Sequence, residues 1–151
     1  MKEMSIYTAT SIRGRWNKDG YIGYTLEYYP KDSKYPRTLT DFAPVEDMNE
    51  NRAEITALYQ AFSRIRENCV VSIYTESEYI FQALSNPGHI DKWIRNGWKT
   101  ANGTEIKNRD LWQQLIGKIQ GNMYQVMLKQ NNAYTGVLIM QMEEKEKMRY
   151  V

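Results

Sequence analysis

The chain is poor in the residues that often announce a function. It has one cysteine and one histidine in 151 residues. A lone Cys69 excludes an internal disulfide and fits a reducing compartment. Its place between a helical pattern and an apolar run predicts a buried, inert thiol. The single His89 lies in a basic, helix-forming region and reads as a surface residue. No apolar run approaches membrane-spanning length, so no membrane partner is expected. The first residues, Met1 to Ile6, carry charge and no long apolar stretch, so no signal peptide is expected and the cytoplasm is the expected location. Charge of one sign is lacking too: 20 Lys+Arg oppose 18 Asp+Glu, a net of +2. That balance excludes a globally electrostatic nucleic-acid binder and makes any footprint local.

What is present is a soluble globular composition, 42% hydrophobic and 25% charged, in a length that suits one domain over 1–151. Such a domain buries a core without staples. Tyrosine is abundant at 12, beside 4 tryptophans. These side chains suit strands and half-buried surfaces, and they also suit stacking on bases; strand packing is the simpler account.

Short strands are expected from about Ser5 to Thr8, Tyr21 to Tyr29 and Arg37 to Ala43, separated by the Lys18-Asp19-Gly20 turn and a loop from Pro30 to Pro36. From Asn49 to Asn68 the period changes. Ile55, Leu58, Tyr59, Phe62 and Ile65 recur at three and four, which marks an amphipathic helix that Asn49 or Asn51 can cap. Val70 to Tyr74 reads as a buried central strand. Ser77 can cap a short helix that Asn86-Pro87-Gly88 breaks. Ile90 to Asn96 resumes helix, and Gly97 stops it. A helix from Lys107 or Asn108 to Gln120, a strand from Tyr124 to Lys129 and a helical tail from Val137 to Met148 complete the order. This is mixed α/β or α+β, without repeats.

Four fragments in this order resemble the ribonuclease HI family, over about residue 4 to residue 130. Gly97-Trp98-Lys99-Thr100, followed by Asn108-Arg109-Asp110-Leu111-Trp112, is similar to the family's G-W-K-T and N-x-D-L-W. Asn51-Arg52-Ala53-Glu54 looks like its N-R-x-E, whose glutamate is catalytic. Thr75-Glu76-Ser77 looks like T-D-S with the aspartate lengthened by a methylene. Thr8-Ala9-Thr10-Ser11 sits where the family has T-D-G-S. The resemblance implies an RNase H-like fold, a five-stranded mixed sheet flanked by helices.

It also implies two-metal hydrolysis of the RNA strand of an RNA–DNA hybrid, with two ions about 4 Å apart held by four acids. Here that set is incomplete. Ala9 stands at the position of the acid that bridges both ions. Glu54 is retained. Glu76 reaches about an ångström farther than aspartate, where catalytic geometry must hold to about half an ångström. No aspartate follows Asp110, and Gln130 to Leu138 holds no acid; Glu143 and Glu144 lie too far along. The family's loop histidine has no counterpart. Glu54 and Glu76 are therefore read as remnants that hold Mg²⁺ or Mn²⁺ weakly, one ion at best. Asp19, Glu27, Glu50 and Glu78 are the acids that could substitute, though Glu78 on its helix should point elsewhere.

Between His89 and Arg109, five bases (Lys92, Arg95, Lys99, Lys107, Arg109) against two acids (Asp91, Glu105) leave +3, with Trp93 and Trp98 interleaved. The resemblance makes this a basic protrusion that handles the DNA strand. Asn51, Lys92, Trp93, Arg95, Trp98 and Lys99 are the candidate nucleic-acid contacts, against the alternative that the tryptophans pack the core and the bases form a solvated face; for Trp112 packing is expected outright. In the first loop, Arg13 and Arg15 could meet phosphates, but Ile12 to Asn17 is bulkier than the family's glycine-rich turn and opposes close backbone approach. The sequence thus favours an RNase H-like nucleic-acid-binding domain with impaired catalysis. An active Mg/Mn-dependent hybrid ribonuclease and a protein-interaction scaffold of unknown partner are the alternatives.

Overall fold

The sequence alternation puts two different faces on the first strand, and the sheet is built around that difference. The structure is a computed structural model describing residues 1–149; the last two residues of the expected domain lie outside the described ones. Three antiparallel strands come first: β1 (Lys2–Thr10), β2 (Lys18–Tyr28) and β3 (Arg37–Met48). Helix α1 (Glu50–Phe62) then crosses to β4 (Cys69–Thr75), which lies parallel to β1. Helices α2 (Glu78–Leu84), α3 (Pro87–Arg95) and α4 (Arg109–Ile119) precede β5 (Met123–Leu128), and α5 (Thr135–Met148) closes the chain. The sheet order is β3-β2-β1-β4-β5, with β5 parallel to β4. This is the expected five-stranded mixed sheet flanked by helices.

On one face, Ile6 of β1 joins Val71 and Ile73 of β4 and packs on Ile55, Leu58 and Phe62 of α1, with Trp112 and Leu115 of α4. On the other, Tyr7 and Ala9 meet Leu138 and Met142 of α5. Alternation along a strand makes this division automatic. Opposite Ala9 the sheet carries Gly23, where a Cβ would lie 2.7 Å from the Phe42 ring. That close approach reserves the place for glycine.

Several elements depart from their expected ends. β3 continues through Pro44 to Met48. Helix α1 stops at Phe62 rather than Asn68, with the Ser63 N–H closing on Tyr59 and Ala61 carbonyls. Asn49 is its cap, accepting from Arg52 N at 3.0 Å. Asn86-Pro87-Gly88 ends α2 and also starts α3: Asn86 accepts from Gly88 N at 3.0 Å and Pro87 takes the first turn, so α3 begins three residues early. Cys69 is buried, as expected, and burial raises its thiol pKa. Among the described residues no helix is long and apolar enough to cross a membrane.

Candidate functional site

Ala9 ends on the α5 side of β1 with 2% of its surface exposed. Its neighbours there are the apolar Leu138 and Met142. One turn before Leu138, where an acid would have to enter from the start of α5, the chain has Tyr134 and Thr135. Tyr134 lies tilted against Tyr7, with ring centroids 4.8 Å apart, and Tyr7 stacks on Tyr74 at 4.5 Å. The Tyr7 hydroxyl donates to Glu27 Oε1 at 3.1 Å, and the Tyr134 hydroxyl donates to Glu27 Oε2. That second bond, with burial, pushes the Tyr134 phenol up to about 12.

Glu54 approaches the same strand end from α1. Alanines at 53 and 57 let α1 sit close to the sheet, packed with Ile12, Ile22 and Val45. Glu54 is 4% exposed, and its Oε2 has no hydrogen-bond partner. Burial pushes its pKa up to about 7; the charges of Glu50 and Glu76 add to the rise and Arg13 opposes it. The structure thus brings Glu54 and Glu76 into one electrostatic neighbourhood, with Glu76 exposed.

The four acids that could substitute are mostly occupied elsewhere. Glu27 is held by the two tyrosines. Asp19 accepts from Asp47 N at 3.0 Å. Glu78 reaches Lys129 at 3.8 Å. Glu50 accepts from Gly14 N at 3.1 Å, although its charge still reaches Glu54. Glu143 is exposed and Glu144 faces Lys147. An acid that the sequence reading missed is Glu146, which accepts from Ser11 Oγ at 2.8 Å beside the end of β1. The signal was available: Leu138, Met142 and Glu146 are spaced by four and share one helix face. Among the described residues no group of three or more His, Cys, Asp or Glu side chains is arranged to hold a metal ion.

Arg13 is anchored at one nitrogen. Its guanidinium turns back and donates to the carbonyls of Thr10 and Ile12, the latter at 3.0 Å. The bonds use Nη1 alone and Arg13 stays exposed, as does Arg15 beside it.

The candidate nucleic-acid contacts divide by burial. Lys92, Arg95 and Lys99 are exposed, and Asn51 and Trp93 are half-buried. Trp98 is 8% exposed and packs on Trp93 with centroids 5.8 Å apart. Trp112 is fully buried, and its Nε1 donates to the Tyr79 hydroxyl at 2.8 Å. Packing accounts for Trp112 completely and for most of the Trp98 surface. His89 is half-buried rather than free on the surface, tilted against Trp93 at 5.1 Å.

The family model for RNase H matches residues 1–138. This chain belongs to the ribonuclease H family. Ribonuclease H of Caldicellulosiruptor saccharolyticus is 42% identical over 116 residues, which cover 77% of this chain and 74% of that protein. Among solved structures, LC9-RNase H1, described as a type 1 RNase H with the type 2 active-site motif, superposes with a TM-score of 0.72 at 18% identity, over 96% of this chain and 70% of that one. The foamy viral protease-reverse transcriptase in complex with RNA/DNA hybrid superposes at 0.65 and 12% identity, over 99% of this chain and 20% of that one. The ribonuclease H fold therefore extends beyond the 4–130 span carrying the sequence motifs.

Proposed function

We propose that this ribonuclease H-family chain binds nucleic acid, with an RNA–DNA hybrid among its targets, and that its nuclease activity is impaired. The observation that carries the second part is the packing of Ala9. A methyl group among Leu138 and Met142 offers no oxygen to any cation. The donor set supports the same reading. Glu54 has one buried, unpartnered oxygen suited to a cation, and Glu76 adds an exposed carboxylate. Two carboxylates from these elements fit one weakly held Mg²⁺ or Mn²⁺ and do not fit a close pair. Holding two dications side by side needs shared anionic charge between them. The binding part is supported by the exposed bases Lys92, Arg95 and Lys99, and by a fold shared with a protein whose structure holds a hybrid.

An active metal-dependent ribonuclease H is the second reading. It is favoured by the relative named ribonuclease H at 42% identity and by the orphaned oxygen of Glu54. One experiment separates them: an end-labelled RNA–DNA hybrid is titrated with the protein in Mg²⁺ and in Mn²⁺, and both the shifted complex and the cut RNA are counted. The first reading expects a salt-sensitive complex and intact RNA. Cleavage that Glu54→Gln abolishes establishes the second, and absence of any complex removes the binding reading.

A further inference from the structure

The sheet face that carries Tyr7 and Ala9 is covered over only part of its width. Helix α5 starts beside Tyr134 and Tyr7 and runs over β1 and β2 toward Ser11, where Glu146 is bonded. The strand register carries the rest of that face across the sheet. Ser5 lies beside Glu27 of β2 and Ser72 of β4, and Ser72 lies beside Gln125 of β5. Val70 lies beside Met123, and Tyr74 beside Met127. Laterally paired residues point to one side, so these side chains share the α5 face. Val70, Ser72 and Tyr74 are only half-buried there, Gln125 is exposed and Met123 is 62% exposed. Cys69, Val71 and Ile73, which alternate with them toward α1, are fully buried. Strands β1, β4 and β5 run parallel, and parallel strands are normally covered on both faces. Next to this trough stands a ridge. The first turns of α5, Thr135-Gly136-Val137-Leu138-Ile139-Met140, are apolar on every side: Leu138 is buried on the sheet, while Val137 and Met140 are 44% and 57% exposed. A helical stretch that is apolar all round is normally buried all round.

We infer that this face pairs with a second copy of the chain about a twofold axis, the outer side of each α5 lying in the open half of the other copy's sheet. A twofold interface must be self-complementary, so that each patch meets its counterpart twice. A ridge and a trough side by side on one face meet that condition, because rotation about an axis between them lays each ridge in the other trough. The chemistry agrees. The trough residues Val70, Ser72, Met123 and Gln125 and the ridge residues Val137 and Met140 carry no charge. Absence of charge with methionine and tyrosine enriched is the composition of a protein–protein interface core, and a polyanion would find no cations to neutralise it there. Glu27, the acid on the same row as Ser5, is already held by the Tyr7 and Tyr134 hydroxyls. Glu3 and Lys31 line the same trough with opposite charges. The size suffices as well. Four strands about 4.8 Å apart over about six residues make roughly 19 by 20 Å, and the outer side of the 14-residue α5 makes roughly 21 by 10 Å. That is about 600 Å² in projection, and side-chain relief raises the accessible area toward the roughly 800 Å² per partner of a stable complex. Helix α3 packs through Ile90 on the opposite face, so pairing leaves Lys92, Arg95 and Lys99 of both copies free.

Sedimentation velocity of the full chain, at about 1 to 100 μM where modest standard-size interfaces associate, measures the pairing. Wild type is compared with Met140→Glu on the ridge, Met123→Glu in the trough and Trp16→Ser, a control 69% exposed beside the start of α1. All three positions are exposed in the single chain, so each variant should fold, and circular dichroism confirms it. The expected result is a concentration-dependent monomer–dimer equilibrium that each glutamate weakens by at least about 10-fold and that Trp16→Ser leaves within about twofold. A wild type that stays monomeric at the highest concentration overturns the inference, including the case in which this face serves a different protein. A dimer weakened by only one of the two glutamates refutes the fit of ridge into trough, and a dimer weakened by neither lies elsewhere on the surface and refutes it too.

Discussion

Replacing Glu54 by glutamine tests the buried carboxyl without removing its volume. In the fold its pKa is pushed up to about 7 from an ordinary 4.5, chiefly by burial. The folded chain therefore holds this proton more tightly than the unfolded chain. Its stabilising effect is complete below about pH 4.5, shrinks as pH rises through about 7, and is gone above it. A shift of that size corresponds to roughly 3 kcal/mol across the window. Glutamine stays neutral throughout, so Glu54→Gln should gain on wild type as pH rises, by up to about 3 kcal/mol between pH 4.5 and pH 8. The assay is urea unfolding followed by circular dichroism at several pH values, with chelator present so that no stray cation partners the carboxylate. Removing the Glu76 charge by Glu76→Gln should flatten the wild-type slope slightly, because that charge adds to the rise. A stability difference between wild type and Glu54→Gln that does not vary with pH refutes the reasoning.

Ala9→Asp alone should destabilise the fold by about 2–4 kcal/mol in thermal unfolding, since it puts a carboxylate among Leu138 and Met142. Combined with Glu76→Asp and Gly136→Asp, it should give Mg²⁺-dependent cutting of the RNA strand of a hybrid; a folded triple variant that stays inert would mean that more than the ligands is missing. Trp112→Ala should cost about 3–5 kcal/mol in urea unfolding, through the lost ring volume and the Tyr79 hydroxyl bond, and a cost under about 1 would contradict its core role. Replacing Lys92, Arg95 and Lys99 by alanine should flatten the log–log salt dependence of hybrid binding by about 2–3, close to one unit for each phosphate no longer neutralised, and an unchanged slope would place the hybrid elsewhere.

The architecture was legible because the periodicities are clean. Alternation in β1 and β2, the three-and-four spacing from Ile55 to Phe62, and the apolar Val70 to Tyr74 run each name an element. What escaped was set by local bonding. The Asn86-Pro87 pair carries a cap-and-first-turn signal, but with Gly88 beside it the same triplet also reads as a breaker. At the candidate site, motif order singled out Glu54, Glu76 and Ala9, and the structure puts Glu76 within electrostatic reach of Glu54. The inward turn of Arg13 was not legible, because a guanidinium on a loop can face solvent or the carbonyls behind it, and only the closed loop decides. Glu146 was legible in principle from its spacing to Met142, but the family pattern directed attention to the start of α5. The clasp of Glu27 by Tyr7 and Tyr134 joins residues far apart in sequence, so no local pattern carries it.

The central claim is that the end of β1, between Ala9 and Glu54, cannot hold two dications. Anomalous scattering from crystals soaked in Mn²⁺ measures this directly. The account predicts at most one weak peak, near Glu54 and Glu76. Two well-occupied peaks about 4 Å apart between the end of β1 and Glu54 would contradict it.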